Sequence, residues 1–401
     1  MSHERSIFSE EHVSLSDLEM RATRKEILAT TALYGPWTPK GEFDWKSYEN
    51  VVQAVIRSGS VPATNVDTTW AIYNAWPLTK EMIWRTAEIA SENAGYLGAD
   101  RPLVVAGLNT NSENISTDEI VPALRKQIHE IEQGLKLRGF EGIRYMPVPD
   151  KRLFNAPANE KVKVYKEMGK MIGDFTDFGM VFFELDIGID GFGSNFTAEE
   201  IAAILEATPQ IQEYKSAIIS KKPEKNYAYD YAADVVRIKV VETVAPDRVQ
   251  FSTGNDWFIS LAKYGKNIEK HGYLLGASQM SPALFQRWRE GIQQGKTEAL
   301  AIEHDLQAAA KDFWTPGNVG IYRHYMAIFL AMTGLIEHPL PHPDCNARYR
   351  VLPENYLLPL KHALRMGLID ESAKKDIARK IIPGFSELSE SELERLLTYL
   401  G

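Results

Sequence analysis

From Ile27 onward, short runs of apolar and β-branched residues alternate with longer stretches whose apolar positions recur three and four residues apart. The short runs fall at residues 27–33, 63–67, 103–108, 142–146, 180–185, 211–217, 249–253 and 273–276. Amphipathic stretches lie between them at 45–58, 79–94, 120–138, 158–172 and 197–207. Thr197-x-x-Glu200 has the form of a capping box, in which each side chain satisfies a free backbone N–H at a helix start. Eight strands alternating with helices predict the α/β class and a closed (β/α)8 TIM barrel over residues 27–294. Residues 1–26 are polar and read as an N-terminal arm. Ser281-Pro282 opens a further helix to about Gln294, and residues 295–401 read as a C-terminal helical region packed on the barrel. That region ends in a second capping box, Ser389-x-x-Glu392, ahead of Leu393, Leu396 and Leu397.

Composition narrows the class. With 401 residues, 44% of them hydrophobic, the chain has ample material for one large core. A net charge of -9 argues against a nucleic-acid platform or a binder of anionic membranes. One cysteine, Cys345, excludes an intrachain disulfide framework. The opening Met-Ser-His-Glu-Arg-Ser lacks the apolar core of a secretory signal, and no apolar run approaches the roughly 18 residues of a membrane span. A cytoplasmic protein is expected.

In a barrel of this kind the chemistry sits where strands emerge at their C-terminal ends. That rule selects Asp67 to Trp70, Asn109 to Asn111, Tyr145, Glu184 to Asp186, Lys215, and Gly254 to Asp256. Polar side chains at such places also serve simply to satisfy loop backbone groups. Lys215 stands out, because a lysine within a short buried strand is costly unless something uses it or pairs it. If it points inward, strand alternation puts Glu213 and Ala217 on the same face. Two readings follow: an amine that forms a Schiff base with a carbonyl substrate, or half of a buried ion pair with Glu213.

The ordered segments resemble the dihydrodipicolinate synthase and N-acetylneuraminate lyase superfamily of Schiff-base aldolases. Ala32-Leu-Tyr-Gly-Pro-Trp-Thr-Pro-Lys-Gly41, followed by Asp44, is similar to that family's first strand and turn. Asp67-Thr68-Thr69 resembles its Gly-Thr-Thr-Gly-Glu loop, and Val105-Ala-Gly-Leu-Asn-Thr-Asn111 its third strand. Thr253-Gly-Asn255-Asp256 resembles its Ser-Gly-Asp-Asp turn, and Gly272 to Pro282 its eighth strand and next helix start. Lys215 falls where the family keeps its imine-forming lysine. The likeness spans roughly residues 27–335 and implies a carbon–carbon lyase or aldolase acting on a 2-oxo acid or related carbonyl compound. It further implies no metal or organic cofactor, and assembly into a homo-oligomer.

The departures are specific. The family's catalytic tyrosine closes strand five in Tyr-Asn-x-Pro, whereas this chain has Phe183-Glu-Leu-Asp186. A second family tyrosine after strand four is replaced by the Val148-Pro149 run. Asp67 and Trp70 stand where the carboxylate loop has glycines. Asp186 or Glu184 is therefore expected to move protons, with burial raising the carboxyl pKa. Tyr145 is the remaining phenol on a neighbouring strand, although its parity points it toward the helix layer. Thr68, Thr69 and Asn255 are candidate substrate-binding residues with Asp67 beside them, and Arg144 is either an anion clamp or a surface arginine paired to an acid.

Two other functions fit the same residues. Asp67, Glu184 and Asp186 together suggest a divalent-metal site that enolises a substrate without an imine. A barrel stripped of both tyrosines also suits non-catalytic binding of a small metabolite. The run His338-Pro-Leu-Pro-His342-Pro-Asp344-Cys345 has metal-ligand residue types, but its prolines favour an extended connector.

Overall fold

The computed structural model of the chain describes residues 26–97, 103–140, 142–185, 196–218, 227–264, 270–314, 319–346 and 350–398. Residues 1–25 of the arm expected at 1–26, and Asp186, lie outside them, while Glu26 begins the first strand. Eight parallel strands close into a barrel in sequence order: β1 Glu26–Ala32, β2 Val61–Thr64, β3 Val104–Leu108, β4 Ile143–Pro147, β5 Met180–Leu185, β6 Ile211–Ala217, β7 Gln250–Thr253 and β8 Lys270–Leu275. β8 pairs with β1 from Glu26↔Lys270 to Thr31↔Leu275, which seals the sheet and leaves no edge.

Six α-helices alternate with the first seven strands: α1 Trp45–Arg57, α2 Trp76–Glu92, α3 Ile120–Leu137, α4 Ala158–Gly173, α5 Ala198–Ala207 and α6 Tyr227–Val244. Their sequences show why they form and dock. In α1, Tyr48, Val51, Val52, Val55 and Ile56 make one buried stripe at helical spacing, and Asp44 caps the start by accepting from Ser47 N at 3.1 Å. The capping box of α5 is present, with Thr197 Oγ1 accepting from Glu200 N and Glu200 Oε2 accepting from Thr197 N. Between β7 and β8 the pattern breaks, and the connection Asp256–Lys263 is 3-10 helix with a kink at Phe258. After β8, α7 Pro282–Gln293 completes the ring of helices. The C-terminal helices follow: α8 Glu298–Phe313, α9 Val319–Met332, α10 Leu357–Arg365, α11 Lys374–Ile381 and α12 Glu390–Thr398. No helix among the described residues is long and apolar enough to cross a membrane.

The predicted strands at 180–185 and 211–217 match the structure in full, and most others differ by a few residues at one or both ends. The largest correction for the site is at β2. The strand stops at Thr64, Asn65 turns into the left-handed region at φ 53°, and Asp67–Thr69 becomes a 3-10 turn. Asparagine tolerates that conformation better than other side-chain-bearing residues. Asn65 also donates from Nδ2 to the Gly107 carbonyl at 2.8 Å, locking the turn onto β3. Gly107 is needed there, since a Cβ on it would lie 1.9 Å from the Asn65 carbonyl oxygen. Gly107→Ala is therefore expected to cost about 2 kcal/mol or more, because backbone rather than a pliable side chain must give way. Urea denaturation measures this, and an unchanged stability would contradict the close approach of the two strands.

Candidate active site

Strand alternation on β6 divides its side chains between two environments. Glu213, Lys215 and Ala217 face the barrel interior, and Tyr214 and Ser216 face α6, where Tyr214 meets Glu184 and Ser216 Oγ donates to Asp234 at 2.5 Å. Lys215 is 3% exposed and opens into a small cavity, about 30 Å³, at the C-terminal mouth. Asp67, Thr68, Asn255, Asp256 and Tyr322 also line that cavity. The Lys215 ammonium lies 4.0 Å from the centroid of the Phe183 ring, its neighbour in the β5–β6 register. Phe183 thus takes the inward position at the end of β5.

Glu213 does not pair with Lys215. Arg144 reaches from β4 and donates from Nη1 to Glu213 Oε2 at 3.0 Å, while its Nε donates to the Phe178 carbonyl at 2.9 Å. This corrects the reading of Arg144 as an anion clamp at the mouth. It is the second residue of β4, near the opposite end of the barrel, and it neutralises the acid one layer below the lysine. Among the described residues no carboxylate lies within 4 Å of the Lys215 amine. Burial pushes the Lys215 pKa below its ordinary value, against the pull of Asp67, then Asp256, then Glu213 toward the charged form. The Phe183 ring face also favours the ammonium. A lysine so placed is closer to a nucleophilic amine than an exposed one.

The acids separate into different environments. Glu184 points away from the cavity into the helix layer. Arg237 of α6 grips it through Nε and Nη2, each at 3.1 Å, and the Tyr214 hydroxyl and the Phe196 N–H also donate to it. All its acceptor capacity is spent on that structural pair, so Glu184 is not positioned to exchange protons at the mouth. It also does not converge with Asp67, and among the described residues no group of three or more His, Cys, Asp or Glu side chains is arranged to hold a metal ion. Tyr145, as its parity predicted, faces the helices and donates to Glu132.

Two acids do crowd the mouth near Lys215. Asp67 is half-buried at the start of the 3-10 turn. Asp256, at the first position after Asn255, is buried and accepts from Ala277 N at 2.8 Å and from the Tyr322 hydroxyl at 2.5 Å. Burial pushes its pKa up to about 6, against the lowering effect of those two donors. Behind it, Asn255 donates from Nδ2 to Asp234 at 2.6 Å, and burial pushes Asp234 up to about 7. Thr68 and Thr69 are both buried, but their hydroxyls have different fates. Thr69 Oγ1 is consumed within its own turn, donating to Val66 O and accepting from Val66 N. Thr68 lines the cavity while its Oγ1 donates to the Leu33 carbonyl at 2.7 Å, leaving an oxygen lone pair to accept from a ligand. Trp70 ends the turn in the left-handed region at φ 63°, held by a 3.1 Å bond from its indole N–H to Gly35 O and by Arg323 over its ring.

Tyr322 is the phenol that the strand pattern did not reveal. It comes from α9, far along the chain, in a segment whose Tyr322-Arg323-His324 interrupts an otherwise apolar helix. That run of three polar-tipped residues within a buried helix is the one feature of the sequence that marks the position.

Dihydrodipicolinate synthases are among the solved structures with this architecture. The enzyme of Thermotoga maritima superposes with a TM-score of 0.61 at 17% identity, covering 86% of this chain and 100% of its own. That of Cyanidioschyzon merolae, determined with lysine bound, gives 0.59 at 20% identity, covering 86% and 99%. That of Agrobacterium tumefaciens strain C58 gives 0.60 at 14% identity, with the same coverage. The chain therefore has the (β/α)8 fold of the dihydrodipicolinate synthases. No family model matches the sequence. No curated protein matches it either.

The environment of Glu184 yields a direct expectation. Arg237→Ala strands a buried carboxylate and is expected to cost about 3–5 kcal/mol in urea denaturation. A loss below about 1 kcal/mol would mean that the pair is not the anchor between β5 and α6.

Proposed function

We propose that the protein is a Schiff-base lyase or aldolase that acts on a 2-oxo acid or a related carbonyl compound through Lys215. The observation that carries this reading is a buried lysine at the C-terminal end of a barrel strand, free of any carboxylate partner among the described residues, with its pKa held down by burial. Imine formation needs a neutral amine beside a space for the carbonyl carbon, and both conditions favour Lys215. Likeness to the dihydrodipicolinate synthase fold supports the same assignment. In this reading Thr68 and Asn255 orient the polar end of the substrate. Asp67 sits across the mouth, where it disfavours a second anionic group and so narrows the substrates accepted. A homo-oligomer in the cytoplasm belongs to the same proposal, and the imine route calls for no metal or organic cofactor.

The test is covalent capture. The protein is incubated with pyruvate and a panel of other 2-oxo acids, reduced with borohydride, digested and analysed by mass spectrometry. One adduct per chain on the peptide holding Lys215 is expected, and none in Lys215→Met. No adduct with any compound, or one that persists in the variant, would contradict the assignment.

A further inference from the structure

The two family tyrosines are absent from β4 and β5, Glu184 is turned away, and yet one phenol reaches the cavity. We propose that Tyr322 and Asp256 form a proton relay for Lys215, with the phenol supplied by the C-terminal helix α9 instead of a barrel strand. This deepens, and rests on, the imine reading above.

The geometry is built around the pair. The Tyr322 hydroxyl donates to Asp256 Oδ2, and the second oxygen of Asp256 is fixed by Ala277 N, so the carboxylate cannot swing away. Two glycines leave the room that the reacting groups occupy. A Cβ on Gly276 would come within 2.8 Å of both the Tyr322 hydroxyl oxygen and Thr68 Cγ2, and a Cβ on Gly254 within 2.8 Å of Lys215 Cε. Neither glycine has a positive φ, so space and not backbone conformation is what demands them. Tyr322, Asp256 and Lys215 line one cavity with space for a water or two. Trp257 and Trp314, whose rings lie 5.5 Å apart, wall the same cavity, and Trp314 packs against Tyr322.

The relay conserves protons. At the outset Lys215 is an ammonium and Asp256 a carboxylate. The phenol passes its proton to Asp256 as its oxygen takes one from Lys215 through a water in the cavity they share, leaving a neutral amine and a carboxylic acid. The amine lone pair then attacks the carbonyl carbon, the C–N bond forms and the π pair moves to oxygen. A proton shifts from nitrogen to that oxygen, giving a carbinolamine. When the C–O bond breaks, Tyr322 protonates the departing oxygen and is refilled by Asp256, while the nitrogen lone pair closes the C=N bond. The products are water, an iminium cation and the Asp256 carboxylate that balances its charge. A carboxyl whose burial brings its pKa toward neutrality is suited to hold that proton in transit. Tyr322 itself, kept far from ionisation by burial and by Asp256, stays a neutral conduit.

Capture kinetics with pyruvate and borohydride decide the matter. Tyr322→Phe and Asp256→Asn are each expected to slow adduct formation at saturating pyruvate about 100-fold or more. The final mass should stay at one adduct per chain, and the half-saturating concentration within about threefold. A merely structural role would shift binding or folding instead of this maximal rate. If circular dichroism shows one variant unfolded, the other decides. Rates within about twofold of wild type in the folded variants would overturn the relay alone. Absence of any adduct in the wild-type protein would remove the imine reading and the relay with it.

Discussion

The site depends on an ion pair that does not include its central residue. Glu213 is buried in the layer beneath Lys215, and left unpaired it would draw a proton onto the amine and hold it there. Arg144 takes up that charge from β4. The exchange of partners keeps the lysine desolvated without a salt bridge, the combination that lowers an amine pKa. Such a buried pair adds little net stability. Its consequence here is to occupy Glu213, leaving burial as the main influence on the amine above, with Asp67 and Asp256 as the larger electrostatic pulls toward the charged form.

Around that amine the barrel sorts charge by strand parity. On β5 and β6 the residues that alternate outward, Glu184, Tyr214 and Ser216, enter a hydrogen-bonded network with α6, and those that alternate inward, Phe183 and Lys215, meet at the mouth. The acids that remain close to Lys215 come from the turns after β2 and β7. The C-terminal helices then add what the strands lack, by setting Tyr322 against Asp256 and Trp314 against Trp257. The region that follows the barrel in sequence is, in this account, part of its site.

Much of this was legible in the sequence, for reasons that can be named. Strands buried on both faces read as short apolar runs, so the barrel and its order were visible. Period-two alternation placed Tyr145 outward, and put Glu213 and Ala217 on the face of Lys215. Of the two readings of Arg144, the pairing to an acid holds, but its partner Glu213 was not foreseen because it sits two strands away, across β5. Glu184 was misread because its role is fixed by Arg237 on a helix that follows the next strand. Tyr322 was missed because a helix packed across the mouth leaves no periodic signature of which strand ends it meets. Its polar neighbours within an apolar helix are the only sequence feature that sets it apart.

The central claim is that Lys215 is a desolvated amine and that the buried acid in the layer beneath it, Glu213, is neutralised by Arg144. Titration of the protein carrying isotope-labelled lysine, followed by carbon and nitrogen NMR at the Lys215 side chain, tests it most directly. The account predicts a midpoint clearly below the ordinary lysine value of about 10.4. It also predicts a rise toward or beyond that value in Arg144→Met, where Glu213 loses its partner. A wild-type midpoint at or above the ordinary value, unmoved by the substitution, would contradict it.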